Sequence, residues 1–147
     1  MILVVEDSID DSFLLTRELA RANMDHEVRV IGDGQDALDF IMQTSPTPDV
    51  VFLDLKLPRL SGIELLQEIR KEPRLHALPV IVMTGSINPR DAEMCARLGV
   101  TAFLPKPVSL EIFRKVIGCA EATGRFLARP VDPHFADLAS PMLRNGT

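Results

Sequence analysis

Short apolar runs alternating with longer stretches of helical period constrain this chain more than any other feature. The runs are Ile2–Val5, Val28–Ile31, Val50–Leu53, Val80–Met83 and Ala102–Leu104, each too short for a helix and dense in Val, Ile, Leu or Phe. Several are apolar at consecutive positions, which predicts strands buried on both faces, as in a parallel sheet covered by helices. Between them, residues 9–22 carry Phe13, Leu15, Leu19 and Ala22, and residues 62–72 carry Ile63, Leu66 and Ile69. Ser61 and Glu64 have the spacing of a capping box. Asn88 followed by Pro89 opens another helix, because proline at the first helical position gives up no needed hydrogen bond. Ser109 is placed to cap a last helix over residues 110–122.

Repeated β/α units with right-handed crossovers predict an α/β fold. The expected form is a doubly wound, flavodoxin-like sheet of five parallel strands ordered 2-1-3-4-5, with helices on both faces. A length of 147 residues suits one domain with a core of its own. The domain is expected over residues 1–123. Residues 124–147, with Pro130, Pro133 and Pro141, are expected to form a tail without a long helix.

Charge and composition exclude several classes of function. The net charge is −5, Trp and Tyr are absent, and no run of Lys or Arg occurs, so nucleic acid is not an expected partner. The longest apolar run, Ala77 to Met83, falls far short of the roughly 20 residues of a membrane helix. The first residues turn acidic at Glu6-Asp7, where a secretory signal would remain apolar. Cys95 and Cys119 have neither metal nor redox spacing, so a soluble cytoplasmic protein with free thiols is expected.

In doubly wound sheets ligands bind beyond the carboxyl ends of the strands. The first run ends in Glu6-Asp7, the third in Asp54, the fourth in Thr84-Gly85-Ser86 and the fifth in Pro105-Lys106-Pro107. If these share one rim, three carboxylates repel by about 4 kcal/mol per pair at 4 Å and an effective dielectric near 20. A cation or raised pKa values must relieve that repulsion. Hard oxygen ligands with room for water suit Mg²⁺. Lys106 and the Thr84 hydroxyl, with the neighbouring backbone N–H, can neutralise and hydrogen-bond phosphoryl oxygens, and Asp54 is a candidate carboxylate nucleophile.

These residues carry a family resemblance. The chain resembles the receiver domain of two-component response regulators from Ile2 to about Ala122. The likeness rests on Val5-Glu6-Asp7, on Asp54-Leu55-Lys56-Leu57-Pro58 followed by Gly62, on Met83-Thr84-Gly85, and on Phe103-Leu104-Pro105-Lys106-Pro107. Asp54 and Thr84 are 30 residues apart and Thr84 and Lys106 are 22 apart, as the family expects. Val5-Glu6-Asp7 followed by Asp10-Asp11, and Pro73 through Ser86, also resemble the stand-alone regulators paired with bacterial phytochromes.

The resemblance implies roles for individual residues. Asp54 would accept a phosphoryl group from a histidine kinase or phosphotransfer protein. Asp7, Asp54 and the Lys56 carbonyl would bind Mg²⁺, with Glu6 acting through water. Thr84, Gly85 and Lys106 would hold the phosphoryl group. Thr84 and Phe103 would switch, the ring turning from exposed to buried and coupling the site to the face of helix 4, strand 5 and helix 5. Lys56 and Ser86 would tune hydrolysis; Lys56 stands where Asn is more usual.

Blander uses of the same residues remain open. Asp54 with Pro58 also suits a turn, and Glu6-Asp7 suits the first turn of a helix. Asp10 and Asp11 read as solvated first-turn acids. Pro105 beside Lys106 suggests a rigid turn with a cis bond at Lys106 or its neighbour. Leu110, Phe113, Ile117 and Ala120 form one apolar stripe of the last helix, and Ile112, Val116 and Cys119 a second. The second stripe either faces a second copy in a homodimer or is covered by the tail, where Phe126, Leu127, Val131 and Phe135 could pack.

Two other functions compete with a signalling switch. A Mg²⁺-dependent small-molecule phosphatase of the haloacid-dehalogenase type would want a second Asp two residues after Asp54, where Lys56 stands. A phosphorylation-independent interaction module would not need the acids, Thr84 and Lys106 together.

Overall fold

The structure, a computed structural model, describes residues 1–24, 27–85, 87–109, 111 and 113–115. Ser86 and the candidate dimer-face residues Ile112, Val116 and Cys119 lie outside the described residues, as do residues 124–147. Strands β1 (Ile2–Val5), β2 (Val28–Ile31), β3 (Val50–Asp54), β4 (Val80–Thr84) and β5 (Ala102–Pro105) alternate with helices α1 (Ile9–Arg21), α2 (Gly34–Gln43), α3 (Gly62–Lys71) and α4 (Pro89–Arg97). A single 3-10 turn, Pro73–Leu75, precedes β4. Residues 111 and 113–115 are helical.

All strand pairs are parallel, and the sheet order is β2-β1-β3-β4-β5, as the pattern of runs predicts. Every residue of β1, β3 and β4 is buried, the condition for a sheet covered on both faces. In β2, a run that Arg29 interrupts, Arg29 and Val30 are exposed. As an edge strand it has one neighbour, and the Arg29 guanidinium stands 4.9 Å from the centre of the Phe40 ring.

The helix ends follow local chemistry. Ser61 accepts from the Glu64 N–H while the Glu64 carboxylate accepts from the Ser61 N–H, closing the predicted capping box, each bond at 3.2 Å. Asn88 caps α4 through the Asp91 N–H at 2.8 Å, and Asp33 caps α2 through the Asp36 N–H at 2.9 Å.

Two arginines tie helix ends to their surroundings. Arg74 donates to the carbonyls of Ile41 and Thr44 at the end of α2. Arg70, in α3, donates to the carbonyls of Leu75, His76, Leu78, Leu98 and Gly99. One guanidinium thereby fastens the 3-10 turn and the end of α4 to α3.

Helix α1 departs from its expected face. It buries Leu15, Glu18 and Leu19, while Phe13 is 63% exposed and Ile9 83%. Phe13 and Leu15 are two residues apart, about 200° around a helix, so they cannot share one face. Glu18 takes a buried place, with one carboxylate oxygen 3.3 Å from both Arg17 and Arg21. In α3 the buried set is Gly62, Leu65, Leu66 and Ile69, and Ile63 is only half-buried.

Candidate functional site

The sheet register assembles the site. Val5 pairs with Leu53, Leu53 with Val82, and Thr84 with Pro105. Consequently Glu6 and Asp7 just past β1, Asp54 at the end of β3, Thr84 at the end of β4 and Lys106 just past β5 meet at one edge. Gly62 lets α3 come close to this edge, because any Cβ there would strike the main-chain oxygen of Asp54. The Lys106 N–H donates to the Thr84 carbonyl at 2.8 Å, and the Lys106–Pro107 peptide is cis.

Lys106 Nζ lies 2.6 Å from Glu6 Oε2, 3.1 Å from Asp11 Oδ2 and 3.3 Å from Asp54 Oδ2. Glu6 and Asp54 are buried and Asp7 is exposed. The Ser8 N–H donates to Glu6 Oε1 at 3.0 Å and the Lys56 N–H to Asp54 Oδ1 at 3.2 Å. Burial pushes the Glu6 carboxyl up to about 7 against the opposing pull of Lys106 and the Ser8 N–H, and the Asp54 charge adds to the rise. For Lys106 burial acts to lower the pKa, but hydrogen bonds to Glu6 and Asp11 outweigh it, so the ammonium keeps its proton more firmly than a free lysine.

Carboxylate oxygens of Glu6, Asp7 and Asp54 lie within 4.8 Å of one another. An all-oxygen, all-carboxylate donor set at this spacing, with Asp7 open to solvent, fits a hard divalent cation that keeps part of its water. Beside it opens a cleft of about 400 Å³ lined by residues that include Asp54, Lys56, Ser61, Thr84, Gly85 and Lys106. Thr84 is buried at the cleft wall. The Lys56 side chain is exposed, and Phe103 is 1% exposed, in the buried one of its two expected positions.

One expectation is corrected here. Asp11 is not a solvated acid: it is half-buried and accepts a hydrogen bond from Lys106. It stands three residues after the cap Ser8, in the first turn of the helix that begins directly behind Glu6-Asp7, and nothing else in the sequence marks it. Asp10 is exposed, as expected. Asp91, at the start of α4, lines the cleft and had no motif to mark it.

A doubly wound parallel sheet with an acid cluster facing a lysine at its carboxyl edge defines the receiver class of α/β proteins. The chain belongs to that family: residues 2–118 match the response regulator receiver domain. It is 39% identical over 124 residues to response regulator Rcp1 of Synechocystis sp., covering 80% of this chain and 84% of that one. The crystal structure of the Mn²⁺-bound form of Rcp1 superposes with a TM-score of 0.71 at 34% identity, over 89% of this chain and 97% of that chain. The phosphorylated cyanobacterial phytochrome response regulator RcpA does so with a TM-score of 0.72 at 33% identity, over 90% and 96%. Among the described residues no helix is long and apolar enough to cross a membrane.

Proposed function

We propose that this protein is a single-domain response regulator of the cytoplasm that takes a phosphoryl group onto Asp54 from a histidine kinase or phosphotransfer protein. The observation that carries this reading is Lys106 Nζ, 3.3 Å from Asp54 Oδ2 beside the cleft. The receiver unit spans residues 1–123, with residues 124–147 as a tail.

In the reaction an Asp54 carboxylate oxygen attacks the donor phosphorus, and the bond from phosphorus to the donor's nitrogen or oxygen breaks. The leaving group departs with that electron pair, and Asp54 becomes an acyl phosphate. Hydrolysis later adds water and returns Asp54 and inorganic phosphate. Glu6, Asp7, Asp54 and the Lys56 carbonyl would hold Mg²⁺, which when bound supplies charge for the transferring oxygens. Lys106 neutralises a phosphoryl oxygen, and Thr84 with the Gly85 N–H hydrogen-bonds others.

Lys56 and Ser86 tune hydrolysis, and Phe103 relays the state of Thr84 to the face of α4 and β5. The output is a protein partner or a second copy meeting at Ile112, Val116 and Cys119. A light-scattering mass of one chain at tens of micromolar protein would exclude the second copy.

The deciding experiment is intact mass after incubation with Mg²⁺ and a small acyl phosphate. A gain of about 80 Da, one phosphoryl group, that Asp54→Asn abolishes supports the proposal. No gain with competent donor and metal overturns it in favour of an interaction module. Steady turnover of a chromogenic phosphoester would favour a phosphatase.

A further inference from the structure

An ammonium has three donors, and Lys106 has three carboxylates within reach: Glu6 at 2.6 Å, Asp11 at 3.1 Å and Asp54 at 3.3 Å. Glu6 and Asp54 belong to the acid cluster, whereas Asp11 lies in the first turn of α1 and outside it. Its backbone is fixed, because its N–H donates to the Ser8 hydroxyl oxygen at 3.2 Å in the helix cap. Lys106 is fixed in turn by its N–H bond to Thr84. The Asp11–Lys106 pair therefore spans from α1 to the end of β5 between two anchored backbones, and the lysine side chain is left 14% exposed.

We propose that Asp11 is a positioning residue that holds the Lys106 ammonium over Asp54. Asp11 accepts a hydrogen bond from the ammonium, and Glu6 and Asp54 pair with it by charge, Asp54 at the longest of the three distances. When Asp54 carries a phosphoryl group, the ammonium meets its oxygen while Glu6 and Asp11 keep it in place. The lysine then needs no reorganisation in the reaction. Without Asp11 the ammonium would keep Glu6 and Asp54 but lose its tie to α1 and swing more freely toward solvent. The phosphoryl part of this role rests on the function proposed above; the anchoring of Lys106 does not.

The test reads both parts separately in full-length wild type, Asp11→Ala and Asp11→Glu. Reductive methylation is followed by peptide mass spectrometry, with exposed Lys71 as the reference in each sample. Asp11→Ala should raise Lys106 labelling several-fold with Lys71 unchanged, and Asp11→Glu should restore most of the protection. Phosphoryl uptake from the acyl phosphate should slow several-fold in Asp11→Ala and recover in Asp11→Glu, at equal urea midpoints. Lys106 labelling in Asp11→Ala equal to wild type overturns the proposal, and so does uptake unchanged when labelling rises. A wild type that never takes up phosphoryl, but whose Lys106 is protected through Asp11, refutes the phosphoacceptor and with it the phosphoryl role of Asp11.

Discussion

The ring of Phe113 stacks on that of Phe52, with centroids 6.3 Å apart and planes inclined by 26°. Both rings are fully buried. Phe52 lies two residues before Asp54 on β3, so the helical residues after β5 rest directly on the strand that carries the candidate phosphoacceptor. Phe113→Ala should cost about 3–5 kcal/mol, the usual range for a buried phenylalanine, and Phe113→Leu much less. Urea unfolding of the two variants checks this.

Arg70 is expected to be the most important surface-proximal side chain for stability. Five carbonyls accept from it, and truncation leaves several of them short of partners. Arg70→Ala should lower stability by roughly 2–3 kcal/mol, and Arg70→Lys should recover little because an ammonium cannot span the fan of acceptors. The urea midpoints of the pair decide it.

Glycine replacements should separate crowding from backbone strain. At Gly62 a methyl group would collide with the Asp54 main-chain oxygen and come within 2.6 Å of Leu55 Cα. At Gly99 there is open space, but φ is +69°. Gly62→Ala should lose about 1–3 kcal/mol and also slow phosphoryl uptake, since the displaced backbone belongs to Asp54. Gly99→Ala should lose about 1–2 kcal/mol with uptake unchanged. Equal uptake in both variants would contradict the close approach at Gly62.

Cys95 sets a pH dependence at the alkaline end. Burial, with a smaller push from Asp91, raises its thiol from 9.0 to about 12. Between those values the folded chain keeps a proton that the unfolded chain has released. Its contribution to stability is therefore full below pH 9 and is lost as pH climbs toward 12. Comparing wild type with Cys95→Ala across this interval should show the steeper decline in wild type. At pH 8, alkylation of Cys95 should be negligible until urea is added.

Much of the fold and of the site was legible because strand runs are short and their ends are chemically marked. The runs match the strands to within one residue, and the carboxyl-edge rule then brings Glu6, Asp7, Asp54, Thr84 and Lys106 together. What escaped was set by tertiary neighbours. Val30 reads as core but lies on an edge strand. Phe13 reads as apolar cover but points outward, while Glu18 goes in because Arg17 and Arg21 compensate it. Asp11 resembled any acid at a helix start until the chain's far end brought Lys106 to it.

The parallel register has a further consequence for how this sequence can vary. The Glu6-Asp7 pair, Asp54, the Thr84 hydroxyl and Lys106 stand at the ends of four different strands, and no covalent neighbour relation fixes the distances from one strand end to the next. Adding one residue inside β1 would advance Glu6 by about 3.3 Å and turn its side chain to the opposite face. The 2.6 Å contact with Lys106 could not survive that step. Insertions and deletions should therefore be tolerated in the connections at the amino-terminal edge of the sheet, while strand lengths behave as a ruler with single-residue divisions.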